Sequence, residues 1–204
     1  MTTPTVSTAV AEPWQVRGAR QELWPTPVYQ RATAIDADVD ALAELILERE
    51  QGDSSLSLGV TCARKSAPDV LSWPLPAVTA LNGWIRDAAL AVTGAGPDTA
   101  FTATAWAVRY WSGGFHEFHA HHDSAVSGVY YLRTATDPTG ALELLDPRPA
   151  HLATAPAHAV APYAVVPYPG LLIAFPSWLR HGVAPHHSPT PRLCIAFNIR
   201  VEER

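Results

Sequence analysis

The sequence predicts one mainly β domain with helices placed ahead of its sheet, and three observations carry this. Two segments of the first half set apolar residues at helical spacing: Val39, Leu42, Leu45 and Ile46, then Val78, Leu81, Ile85 and Val92. From Phe101 onward, short apolar or alternating runs take over, punctuated by Gly, Pro, Asp and Thr. That is the pattern of an antiparallel sandwich or small barrel. The chain has 204 residues, 48% of them hydrophobic, which allows one substantial core and excludes disorder throughout.

Taken in order, residues 1–13 form a Thr-, Ala- and Pro-rich tail expected to fray, and 14–204 form a single domain. Leu23–Tyr29 is apolar but interrupted by Pro25 and Pro27, as in an edge strand or an extended arm. Asp36 or Asp38 caps a first helix running to about Gln51, with Gly52 as its stop. A second helix follows Pro76 and ends at Gly94, with Trp84 beside its apolar stripe. The two make a helical support, residues 36–94, that covers one face of a sheet. The β-core, residues 101–201, holds strands predicted over Phe101–Tyr110, Ala125–Leu132, Ala141–Leu145, Tyr163–Val166, Leu171–Phe175 and Arg192–Val201. Pro147–Pro167 lacks periodicity and reads as a long loop, of a length that often serves as a lid over a site.

Composition narrows the partners. A net charge of −5 without a long basic run argues against a nucleic-acid binder. Cys62 and Cys194 are the two cysteines, in no CxxC pair, which suits the cytoplasm rather than a disulfide framework. No basic-then-apolar leader is present, and no run approaches the ~20 apolar residues of a membrane span, so no membrane partner is expected.

The chemistry concentrates in the histidines. There are nine, and His116, His119, His121 and His122 fall within seven residues, next to Asp123. On an extended chain, residues two apart share a face, so His121 and Asp123 point the same way with the spacing to hold one metal ion. His119 shares that face, and a His119/His121 pair with a distant carboxylate is the alternative. His181, 60 residues after His121, supplies a further imidazole after a Gly170-led apolar strand and a proline bend. Arg192 opens the last strand and has the bidentate fork to clamp a carboxylate. His186 and His187 sit in a Pro-flanked turn, and His151 and His158 in the long loop.

Four runs carry a family resemblance: His119–Leu132 (HAHHDSAVSGVYYL), Leu145–Arg148 (LDPR), Phe175–Val183 (FPSWLRHGV) and Arg192–Asn198 (RLCIAFN). In this order and spacing they resemble the 2-oxoglutarate/Fe(II) dioxygenase superfamily, and within it a bacterial, prolyl-hydroxylase-like branch. The resemblance is dense from about Trp106 to Asn198. It implies a double-stranded β-helix, the jelly-roll or cupin-like barrel, with the metal in its mouth. It implies Fe(II) on His121, Asp123 and His181, with 2-oxoglutarate and O2 as co-substrates. Arg192 would bind the far carboxylate of 2-oxoglutarate, with Tyr131 beside it and Tyr110 near a further tyrosine position. His119, Arg148 and Arg180 flank the mouth and are candidate substrate contacts. The branch commonly has proline where this chain has His122 and a non-acidic residue where it has Asp123, which leaves Asp146 as an alternative carboxylate.

The activity implied is hydroxylation of an unactivated C–H of an amino acid, peptide or small metabolite, with release of succinate and CO2. Desaturation or cyclisation would start from the same oxidant. A homodimer is compatible with the sequence. Two other readings use the same residues: a cupin-like metal-dependent isomerase or hydrolase without 2-oxoglutarate, and a non-catalytic small-ligand-binding barrel. Arg192 discriminates, because only the first reading needs it in the pocket.

Overall fold

A computed structural model describes residues 24–50, 59–135, 139–148 and 161–202. Helix α1 (Ala37–Glu50) starts where the Asp36 carboxylate accepts the Val39 N–H at 3.0 Å, an N-cap. Asp38 and Asp40 in its first turn and Arg49 in its last complement the helix dipole. Helix α2 (Pro76–Thr93) starts on a proline and ends at Gly94, whose φ of 67° and N–H to the Leu90 carbonyl (2.9 Å) make a left-handed stop. Both helices lie as the apolar spacing predicts. Gln51, Gly52, residues 1–23 and 149–160 of the long loop, with His151 and His158, lie outside the described residues.

The strands are β1 (Tyr29–Ala32), β2 (Val60–Lys65), β3 (Phe101–His119), β4 (Val126–Arg133), β5 (Leu142–Leu144), β6 (Tyr163–Val165), β7 (Leu171–Pro176), β8 (His181–His186) and β9 (Arg192–Val201). Their pairings are antiparallel in the order β1-β7-β4-β9-β3-β8-β5-β6, with β2 also on β3. The sheet curls into the half-barrel of a double-stranded β-helix. The edge strand β1 starts only at Tyr29, the last residue of the proline-broken segment, whose residues 25–28 form no regular structure. Strand β2 is not among the predicted strands and divides the segment read as helical support.

Alternation assigns the two faces. Leu172, Ala174, Tyr130, Leu132, Leu193 and Ile195 join the core under α1 and α2. Their neighbours Leu171, Ile173, Phe175, Tyr131 and Cys194 point the other way, into a second core inside the curl. Covering by helices on one face and by the curl on the other leaves every residue of β7 buried, which is why that strand reads as an uninterrupted apolar run. Gly128 sits in the middle of β4, where an added Cβ would run into the Phe197 ring and come within 2.6 Å of the Ile173 carbonyl oxygen. Only glycine lets these strands approach that closely.

Candidate metal centre

Register places the site. Strand β3 pairs with β8 so that His119 stands directly opposite His181. Cross-strand partners project from the same face, and the two rings lie 4.3 Å apart between centroids. Just past the end of β3, the His121 N–H bonds the Ser177 carbonyl at 2.9 Å. That bond ties the turn down and sets the His121 ring 5.0 Å from His119 and 5.5 Å from His181. One ring nitrogen from each of His119, His121 and His181 lies within 4.8 Å of the others. This is the cluster among the described residues with the donor set and closeness to hold a metal ion.

Backbone carbonyls fix which nitrogen faces inward. His119 Nδ1 lies 2.8 Å from the Glu117 carbonyl, and His181 Nδ1 lies 2.8 Å from the Leu179 carbonyl. A carbonyl only accepts, so both Nδ1 atoms carry the proton and both Nε2 lone pairs are left for a metal. His116 is different. Its Nδ1–H also donates to the Glu117 carbonyl (3.0 Å), but its Nε2 accepts from the Lys65 ammonium at 3.2 Å. The lone pair a metal would need is therefore already used, and His116 instead stacks on His119, 4.0 Å between centroids.

Burial keeps the cluster neutral. It pushes the His181 pKa down to about 3 and the His121 pKa down to about 4, with the neighbouring imidazoles adding to the effect. His116 is likewise pushed down to about 4, and His119 is lowered, in both cases first by burial. Neutral imidazoles with free lone pairs are what a metal ion binds, so the residues present fit one.

Asp123 is not brought into this cluster. Regular strand ends at His119, and the chain bends through His122 and Asp123, so the two-residue rule for a shared face stops applying there. The Asp123 carboxylate turns outward to an ion pair with Arg200, whose Nε also donates to the Asp123 carbonyl at 2.8 Å. The Arg200 hydrogen bond to the carboxylate holds the Asp123 pKa below the usual value. His119 stands in the place the spacing argument gave to Asp123. The alternative carboxylate, Asp146, is held by its neighbour Arg148 (2.5 and 2.9 Å), and that arginine is exposed. Arg180 is also exposed, while Leu145 N–H bonds its carbonyl at 2.9 Å.

A cavity of about 300 Å³ opens beside the histidines. Its walls include Trp106, Val108, Tyr110, Val129, Leu142, Phe175, Val183 and Phe197, and its polar lining includes Lys65, Ser127 and Asn198. Ser127 donates to the Asn198 side-chain oxygen at 2.7 Å. Of the tryptophans near the site, Trp106 lines the cavity and Trp178 is exposed. Arg192 is 1% exposed. Its guanidinium lies over the Tyr110 ring, 4.3 Å from the centroid, and donates to the Gly140 carbonyl. A Cβ on Gly140 would collide with that guanidinium. Arg192 Nε has no hydrogen-bond partner, and no carboxylate pairs with Arg192 among the described residues. Tyr131 is buried in the same inner core as Tyr110, and burial raises the pKa of both hydroxyls. Tyr130 faces the helices, bonding Thr33 at 3.0 Å and packing on Trp84.

Known proteins share this fold. Residues 104–198 match the family described as "Putative 2OG-Fe(II) oxygenase". No curated protein matches the chain. Among solved structures, a Pseudomonas putida prolyl-4-hydroxylase superposes with a TM-score of 0.62 at 19% identity, over 86% of this chain and 93% of that one. HygX from Streptomyces hygroscopicus, with nickel, 2-oxoglutarate and hygromycin B bound, gives 0.60 at 15%, over 86% and 83%. The alpha-ketoglutarate-dependent epimerase SnoN from nogalamycin biosynthesis gives 0.65 at 13%, over 85% and 76%. The segment that matches this family, 104–198, is the one that carries the histidine cluster and Arg192.

Proposed function

We propose that the chain is an oxygenase that hydroxylates an unactivated C–H of an amino acid, a peptide or another small metabolite, with Fe(II) on His119, His121 and His181. The observation that carries this reading is the buried Arg192, which pairs with no carboxylate among the described residues and lies over Tyr110, in the wall of a cavity that three neutral imidazoles line. A desolvated guanidinium without a counter-charge costs several kcal/mol, roughly, and an anionic co-substrate removes that cost. Three histidines also suit a zinc-type hydrolytic site, but that chemistry brings no anion to Arg192.

Fe(II) held there with 2-oxoglutarate would supply oxidative decarboxylation of the co-substrate to succinate and CO2, with one oxygen atom of O2 entering succinate and the other the substrate C–H. The chain's own work is positional. The Glu117 and Leu179 carbonyls hold two imidazoles in the ligating tautomer. Arg192 orients the far carboxylate, Gly140 and Tyr110 fix the guanidinium, and Tyr131 packs alongside. The apolar walls exclude water from the reacting centre. The solved neighbours include an epimerase as well as a hydroxylase, so hydroxylation rests on the prolyl-hydroxylase likeness.

Succinate release from 2-oxoglutarate by Fe(II)-loaded protein in air tests the reading. Turnover is expected in the parent, with 2-oxoglutarate bound about 10- to 100-fold more weakly by Arg192→Met, the worth of charge-assisted hydrogen bonds. No succinate from protein shown to hold iron contradicts it.

A further inference from the structure

The cavity wall carries a side-chain amide that the oxygenase reading does not use. Asn198 on β9 pairs with Ser127 on β4, and Ser127 pairs with Phe175 on β7. Cross-strand partners project from one face, so the three form a row, and all three line the cavity. One end of the row meets the metal centre, where the Phe175 and His181 rings lie 4.7 Å apart between centroids. At the other end Thr104, the β3 partner of Asn198, is exposed. Ser127 is 2% exposed, and its hydroxyl donates to the Asn198 Oδ1 at 2.7 Å. That bond engages the amide oxygen and fixes which way the amide is turned. The Nδ2 hydrogens are left over, and no described residue accepts from them. Trp106 stands opposite Ala196, two residues before Asn198 on the same face, and its indole N–H has no acceptor among the described residues.

We infer that Asn198 is a specificity-determining residue of this cavity, an amide donor that takes the carbonyl oxygen of an uncharged, otherwise apolar amide or ketone substrate. The assignment rests on the oxygenase reading for the reaction that follows. A carbonyl oxygen suits these donors because it accepts hydrogen bonds and has none to give. A neutral amide compensates no charge, so a carboxylate drawn out of water onto it gains less than it loses. Val129, Leu142, Val183 and Phe197 offer the rest of the molecule apolar surface. Ser127 acts through Asn198 as a positioning residue, since its hydroxyl holds the amide with Nδ2 turned away from it. Co-substrate and substrate are then read by different strand ends: Arg192 at the start of β9 takes the first, and Asn198, six residues on, takes the second.

The test compares cyclohexanone with methylenecyclohexane, two rings of one shape in which the carbonyl oxygen is exchanged for a methylene group. Binding is followed by ligand-observed NMR on the full chain loaded with Zn(II), with the co-substrate analogue N-oxalylglycine present to cover the metal. The quantity read is the ratio of ketone to alkene affinity, in which the greater hydrophobicity of the alkene cancels between variants. That ratio is expected to fall about 3- to 10-fold in Asn198→Leu, the worth of one neutral hydrogen bond. It falls at least as far in Asn198→Asp, which keeps the shape and offers only acceptors. Alkene affinity at the parent's level shows that the cavity of a variant is intact. An unchanged ratio in either variant with an intact cavity overturns the assignment, because the ketone then sits on the metal or elsewhere. A fall confined to Lys65→Met overturns it too, placing the oxygen at Lys65, and so does a parent that does not bind the ketone. The visible charge-transfer band of 2-oxoglutarate on anaerobic Fe(II) protein reports the other reading separately. The expected fall without that band would sink the oxygenase function and leave Asn198 as a carbonyl site.

Discussion

At the scale of residues, His119 and Asp123 lie four positions apart and are used in opposite ways. His119 is on regular strand, opposite His181, with its Nδ1 proton committed to a carbonyl. Asp123 is past the strand end and paired with Arg200 in solvent. Co(II) affinity separates them. His119→Ala is expected to lose ~100-fold or more, since even the residues that orient metal ligands are typically worth 10- to 100-fold. Asp123→Ala is expected to stay near the parent, and a loss in Asp123→Ala as large as that in His119→Ala would contradict the triad. The cysteines give a second prediction. Burial pushes the Cys194 thiol up to about 11, while Cys62 is exposed. A thiol-disulfide reagent near neutral pH is expected to titrate Cys62 quickly in the folded chain and Cys194 only on unfolding. Two fast thiols would contradict the placement of Cys194.

At the scale of elements, the helices act as support, and removing their contacts is expected to cost stability without touching metal binding. Leu81 is fully buried between α2 and the sheet. Leu81→Ala is expected to cost about 2–5 kcal/mol in denaturant unfolding with unchanged metal affinity. A matching loss of metal affinity would show that α2 does more than cover the sheet. The helices were legible in the sequence because their period of 3.6 and their stops are local: the Asp36 cap, Pro76 and Gly94. So was β7, whose burial on both faces writes a continuous apolar run. Strand β2 was not. Its ladder pairs Thr61 with Phe115 but Ala63 with Tyr110, and Cys62 takes a φ of 44° at the shift. Alternation breaks there, and the exposed Thr61, Cys62 and Arg64 read as loop. The choice between His119 and Asp123 stayed open in the sequence for a similar reason. It depends on the register of β3 against β8 and on Arg200, 77 residues beyond Asp123. Neither is a local pattern, whereas His121 and His181 stood out by type and by their flanking runs.

At the scale of the whole molecule, the buried imidazoles couple fold to pH. His181 and His121 have folded pKa values of about 3 and about 4, below the unfolded value near 6.5. The unfolded chain therefore binds these protons first. Their contribution to stability is fully present above about pH 6.5 and is lost as pH falls toward the folded values. The metal-free chain is expected to melt at lower temperature at about pH 5 than at about pH 7, and Co(II) affinity falls over the same window as protons compete for the lone pairs. A flat melting profile between those two conditions would mean that the cluster is already solvated and charged. Described residues contain no helix long and apolar enough to cross a membrane. What the curl accomplishes overall is to bring β3, β8 and β9 together, so that His119 and His181 line one cavity and Arg192 lies over Tyr110, a residue of its wall.

The measurement that bears most directly on the central claim is anaerobic titration of the Fe(II)-loaded chain with 2-oxoglutarate, followed by its weak visible charge-transfer band. The triad and Arg192 together predict a saturable band in the parent, absent in His119→Ala, present in Asp123→Ala, and shifted to higher 2-oxoglutarate concentration in Arg192→Met. A parent that holds iron yet gives no band, or a band lost in Asp123→Ala and kept in His119→Ala, would contradict the account.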